Sequence, residues 1–286
     1  MNKFIGGFLT IFLSLSTIPF FQTLAGAEQD PKTLKFLEEI NRHYYCLYRE
    51  GLNDYKCQVK ISLFDSAKNG YAKKFGSSDK RVKLLDRVRF YIEDSQHEPT
   101  KIYSSEYPLT GDEDFDSTAR NDIDNIRKLV EDLMAPWAMF VEEPVFPERE
   151  LTQYNFRVEK EKDGMEIFIS FENGDEGHVH LDQLMKITSF TGDENAVRGC
   201  RPLFLDRTGG FLLKRWETLL PQTSKKQFGE ITYRKVGKFL MPDKLTIHVK
   251  DKKVIGGSES VVSLIFIDYS INRKTRPAKE DRKSVV

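Results

Sequence analysis

An α+β protein built on a single strongly curved antiparallel sheet, with helices packed on its concave face, is what this sequence predicts. Several segments alternate apolar and polar residues with a period of two, as half-buried strands do. Asp163-Gly164 and Asn173-Gly174, turn pairs of the hairpin type, separate three such segments. Only two stretches repeat at helical spacing, too few to cover so many strands unless the sheet rolls onto itself or keeps an apolar hollow.

The elements follow in chain order. Lys3 is the only charge in residues 1–27, the run from Phe4 to Phe21 is nearly all apolar, and Leu24-Ala25-Gly26-Ala27 ends in small residues before Glu28. That pattern predicts a secretory signal peptide cleaved after Ala27. No cysteine follows that bond and no second long apolar stretch appears, so the expectation is a soluble periplasmic protein with no integral membrane span after cleavage. Beyond Asp30-Pro31, the residues Leu34, Leu37, Ile40, Tyr44 and Leu47 predict a first amphipathic helix that stops at Gly51. Tyr55, Cys57, Val59, Ile61 and Leu63 then alternate with polar residues and predict a strand. A second one-sided strand is expected through Val82, Leu84, Val88, Phe90 and Ile92, after a turn near Gly76-Ser77-Ser78. Tyr103 and Tyr107 lie in a shorter extended piece ended by Pro108.

Asp116-Ser117 supply caps for a second helix, whose apolar stripe is Ile123, Ile126, Leu129, Val130, Leu133 and Trp137, and Pro136 kinks or ends it. Past Pro144 and Pro147 the chain reads as nearly all β, with strands at 154–162, 165–172, 177–182, 184–190, 231–236, 244–250 and 260–272. The apolar stretch around Trp216, after Gly209-Gly210, is undecided. No repeat and no Gly/Ser/Pro-rich linker interrupts this run, so residues 28–272 are expected to form one domain, followed by a basic mobile tail at 273–286.

Composition excludes some functions. Forty-four Lys and Arg balance 44 Asp and Glu, leaving no net field to hold nucleic acid. No G-x-S-x-G, H-E-x-x-H or P-loop occurs, so neither catalytic residues nor a cofactor is expected, and the protein reads as a non-enzyme. His178 and His180 share one face of a strand with Asp182 close by, a spacing that metal sites use. The apolar Val179 and Leu181 take the other face, so this reads as a solvated outer surface, and no metal is expected. Asp112, Asp114 and Asp116 alternate like a calcium loop, but Ser117 stands where the glycine belongs and Ile123 where the bidentate Glu belongs, which makes them a loop and helix cap. Glu142-Glu143, and Glu159 with Glu161, read as solvated charges. Cys46, Cys57 and Cys200 fit either a Cys46–Cys57 disulfide with a spare thiol or three small buried apolar residues.

Three pieces carry a resemblance: the early helix running into Gly51-Leu52-Asn53-Asp54-Tyr55, the segment from Tyr233 through Gly237 and Pro242-Asp243 to Lys244, and the closing Phe266-Ile267-Asp268-Tyr269-Ser270-Ile271-Asn272. They are similar to the periplasmic outer-membrane lipoprotein carriers and the related lipoprotein-sorting and sigma-factor-regulating proteins. The resemblance implies a half-barrel lidded by helices, an apolar cavity for lipid or lipoprotein acyl chains, and no catalytic machinery. The helical and proline-bearing stretch from Ser117 to Pro147 departs from a compact carrier. Residues on the apolar strand faces are the expected ligand-binding set: Val59, Ile61, Phe90, Ile92, Phe156, Ile167, Ile169, Ile247 and Ile267. An envelope protein is the alternative partner, bound by a sensor or interaction module without lipid, and a metal-dependent hydrolase resting on the two histidines is the remote third reading.

Overall fold

The computed structural model describes residues 30–272 except 97, 108, 172–175, 192–198, 220–224 and 252–257. The signal peptide at 1–27, Pro108, the Asn173-Gly174 turn and the tail at 273–286 lie outside the described residues.

Helix α1 (Pro31–Arg42) starts where its signals stand: Pro31 occupies the first turn and the Asp30 carboxylate accepts from the Lys32 amide. It ends short of the expected Leu47. Tyr44, Tyr45, Cys46 and Leu47 are all buried, but in an irregular segment whose backbone bonds go elsewhere, Tyr45 N to Phe211 O and Leu47 N to Val141 O. Burial on every side mimics a helical stripe while tertiary partners supply the hydrogen bonds.

Strand β1 (Asp54–Ile61) points Tyr55, Cys57, Val59 and Ile61 inward, as expected. Leu63 does not continue it, because the chain turns into α2 (Ser62–Phe75) and then α3 (Lys80–Leu85), capped by Asp79. Val82 and Leu84 are therefore helical, and the strand β2 is only Phe90–Ser95, paired with β3 (Glu98–Ser104). Only Phe64 of α2 is buried, so that helix has almost no apolar stripe for a sequence reading to detect.

Helix α4 (Glu113–Trp137) is capped by Asp112, whose carboxylate accepts from Phe115 N. Asp116, the expected cap, accepts instead from Thr110 N and Gly111 N and ties down the preceding loop. Pro136 does not end the helix. Proline removes one backbone donor, and the chain continues as a π-helical turn, Ala138–Glu142. After the short α5 (Glu148–Gln153) come β4 (Asn155–Glu161), β5 (Gly164–Ser170), β6 (Glu176–Asp182), β7 (Ile187–Thr191), β8 (Gly199–Leu205), β9 (Leu212–Leu219), β10 (Lys225–Val236), β11 (Phe239–Asp251) and β12 (Ser258–Ile271). The stretch around Trp216 is thus β9, while β8 has no counterpart among the expected strands.

All twelve strands join one antiparallel sheet in the order β3-β2-β1-β12-β11-β10-β9-β8-β7-β6-β5-β4, and its two edge strands do not pair. Ring contacts require the sheet to bend. Trp137 packs edge-on against Tyr55 of β1 with ring centres 6.3 Å apart, and Phe146 against Phe156 of β4 at 6.0 Å. Those strands hold the third and twelfth places, roughly 43 Å apart if flat, at about 4.8 Å per strand. The chain from Trp137 to Phe146 is helical in its first half and reaches only roughly 20 Å. The sheet therefore curls around α4 and the π turn, and inward residues of β1, β2, β4, β5 and β6 join α1 and α4 in one core cluster.

Candidate functional site: the lidded inner face

The expected ligand-binding residues divide cleanly. Val59, Ile61, Phe90, Ile92, Phe156, Ile167, Ile169 and Ile247 all belong to the core cluster on the inner face. Ile267 does not. Val262, Leu264 and Phe266 are the inward residues of β12, so Ile267 takes the opposite parity and pairs with Gln58 on the outer face. Strand β12 is apolar on both parities, with Val261 50% and Ile265 42% exposed, which is why alternation misplaced Ile267.

The space facing these residues is filled rather than hollow. Leu133, Trp137, Phe140 and Val141 of α4 and the π turn are essentially fully buried against the sheet. Phe140 meets Phe204 of β8 edge-on at 5.4 Å. These side chains form the central part of a lid over the inner face, which Leu37 and Ile40 of α1 and the buried Tyr44, Leu47 and Leu52 complete.

A polar latch holds that lid. Glu142, the last residue of the π turn, is only 3% exposed and accepts from the Tyr55 hydroxyl at 2.8 Å. Asp94 of β2 is equally buried and accepts from Thr100 Oγ1 at 2.6 Å and from the Tyr48 hydroxyl. Burial first, then the neighbouring Asp94 charge, hold the Glu142 carboxyl well above the usual carboxylate range, and a hydrogen bond with Asp94 favours the protonated form further. Burial and the same acids push the Tyr48 and Tyr55 phenols up. Backbone bonds from Leu47 N to Val141 O (2.8 Å) and Tyr48 N to Glu142 O (3.4 Å) complete the latch. Asn41 clamps the following segment, donating to Phe146 O at 2.8 Å and accepting from its amide at 2.9 Å. The expectation that Glu142 is a solvated charge is overturned. The available signal was that Glu142 directly follows Phe140-Val141, with Val145-Phe146 beyond, so an apolar run that is drawn into the core carries the acid in with it, where it needs a partner.

Beside the latch, Glu38, Arg42, Tyr48, Arg49, Glu143 and Glu148 line a surface cleft of about 570 Å³. Its lining carries charges of both signs.

Cys46, Cys57 and Cys200 are buried free thiols, so the Cys46–Cys57 disulfide is not formed. Cys57 faces the core from β1, while the Cys46 thiol lies against Glu142 O at 3.6 Å. Burial raises all three, Cys57 and Cys200 to about 12, so none carries an activated thiolate.

On the outer face His178 and His180 are neighbours as expected, but the acid between them is Glu166 rather than Asp182. Glu166 Oε1 lies 2.8 Å from His178 Nδ1 and 3.4 Å from His180 Nε2. Asp182 is occupied otherwise, accepting from Leu184 N at 2.8 Å and Lys186 N at 2.9 Å. Asp112 and Asp116 serve loop and cap, as the calcium-loop pattern was read.

Among the described residues no helix is long and apolar enough to cross a membrane. Comparison with known protein families, curated proteins and solved structures finds no match to the chain.

Proposed function

We propose that the protein is a non-catalytic binding protein of the bacterial periplasm, of the lipoprotein-carrier type, which takes lipid, lipoprotein acyl chains or another hydrophobic molecule onto the inner face of its bent sheet. One observation supports this reading above the others: an unclosed sheet presents a continuous apolar face, and the centre of what covers it, beside α1 and the buried residues Tyr44, Leu47 and Leu52, is a broken helix tied down by a small polar latch. Each methylene withdrawn from water contributes about 0.8 kcal/mol, so an acyl chain can replace the contacts of Leu133, Trp137 and Phe140 when the lid swings out. The lid then has two states, closed over itself and open over cargo.

Native mass spectrometry of the mature protein, taken from a periplasmic extract without detergent, tests this. A discrete excess mass that organic extraction releases as lipid is the expected result. A clean apo mass together with a stable protein companion would replace it with the second reading, an envelope interaction or sensor module. The mixed-charge cleft around Arg42, Arg49 and Glu143 is the feature favouring that alternative, because it suits a polypeptide better than an acyl chain.

A further inference from the structure

We propose that the outer face of the β4–β5–β6 meander is a binding site for a single divalent cation of the zinc type, with Glu161, Glu166 and His180 as ligands. This site lies across the sheet from the lidded face and stands or falls independently of the hydrophobic-ligand reading.

Three strands bring the ligands together. Glu161 is the last residue of β4, Glu166 pairs directly with His180 across β5 and β6, and the tight turn between β4 and β5 folds Glu161 back over Gly164. Gly164 is required there: a Cβ at this position would lie 1.9 Å from Leu181 O, so only glycine lets β5 and β6 approach this closely beneath the cluster. One donor atom from each of Glu161, Glu166 and His180 lies within 4.8 Å of the others. A tetrahedral zinc ion holds its ligands roughly 3.3–3.6 Å apart, given bonds of about 2.0–2.2 Å, so modest side-chain rotations close the set.

A second observation points the same way. The Glu166 side chain is only 14% exposed, and among the described residues its charged or chargeable partners are the two imidazoles, with no Lys or Arg ion pair. With its oxygen 3.4 Å from His180 Nε2, this carboxylate is placed to share a cation with that nitrogen. His178 is the positioning residue. Its Nδ1, 2.8 Å from Glu166 Oε1, fixes that carboxylate as second-layer groups fix metal ligands, and its ring is held edge-on against Phe168 at 5.0 Å. One imidazole nitrogen and carboxylate oxygens suit a borderline cation, and three protein ligands leave a fourth position for water.

The test uses the untagged mature chain, stripped with a chelator and titrated with Zn²⁺ by calorimetry and with Co²⁺ by visible absorption. One equivalent should bind, with a cobalt band of low-symmetry, four-coordinate type. Glu166→Gln and His180→Ala should each weaken Zn²⁺ binding roughly tenfold or more and abolish the band, while Asp182→Asn leaves the affinity unchanged. Glu161→Gln, at an exposed position, repeats the test without risk to the fold. Wild-type protein that binds no stoichiometric metal, or variants at 161, 166 and 180 that bind as wild type does, would overturn the site. So would a loss caused by Asp182→Asn alone.

Discussion

Glu142 and Glu166 are two carboxylates drawn away from water on opposite faces of one sheet, and their surroundings give them different work. Inside, Glu142 meets a phenol and a second acid in an apolar core, so its charge is suppressed and its value is as a neutral hydrogen-bonding latch. Outside, Glu166 meets two imidazoles on a face open to solvent at its rim, an arrangement of donor atoms suited to a cation. The contrast teaches that depth of burial first, and then the identity of the partner, decides whether a withdrawn acid holds a structure shut or is placed to hold a ligand.

Removing the lid's anchor should separate the two faces most sharply. Trp137→Ala empties a fully buried ring site and should cost about 3–5 kcal/mol in urea denaturation, leaving outer-face metal binding intact in the protein that still folds. A smaller loss of about 1–3 kcal/mol is expected from Gly229→Ala, because the new Cβ would sit 2.3 Å from the Trp216 ring.

The latch makes a prediction about pH. A carboxyl whose folded pKa is raised contributes its full stability below the unfolded value, about 4.3, and that contribution is lost as pH rises toward the folded value. Stability of the wild type should therefore decline from about pH 4 upward through this group. Glu142→Gln, which keeps a neutral hydrogen-bonding group, should flatten that decline when denaturation curves are compared across pH, and an unchanged slope would remove Glu142 as its source. Glu166→Gln, by contrast, keeps the side chain's size but changes its contact with His178, and should cost about 1 kcal/mol without metal in the same denaturation measurement.

The thiols give the mildest test. With burial holding Cys57 and Cys200 at about 12 and Cys46 also raised, a thiol reagent should leave the native protein essentially unmodified and react with three groups once it is unfolded. Rapid native labelling would show that the inner face opens far more readily than a latched lid allows.

Legibility from sequence followed the same division of faces. Strand β1 and the β4–β5 hairpin were readable because a polar outer face and an apolar inner one alternate residue by residue, and the Asp163-Gly164 turn marks the hairpin. The stripe of α4 was readable because one side of it is core. What failed had no such contrast. Helix α2 buries almost nothing, β12 is apolar on both sides, and Tyr44–Leu47 is buried all round in an irregular path. Of the candidate sites, eight inner-face residues were found by parity, whereas the latch joins Tyr48, Asp94 and Glu142, which are far apart in sequence. Glu166 escaped for a related reason, since only the β5–β6 register sets it between the histidines.

The most direct test of the lid is optical. The chain has two tryptophans, and Trp216→Phe leaves Trp137 of the lid as the only one. Its emission should be followed while a lysophospholipid, a fatty acid and a triacylated lipopeptide are titrated in separately, each below its micelle concentration. A saturable red shift with quenching, as Trp137 leaves the closed interior, is the predicted result for at least one of them. Emission that stays fixed with all three in excess would contradict a lid that opens for hydrophobic cargo.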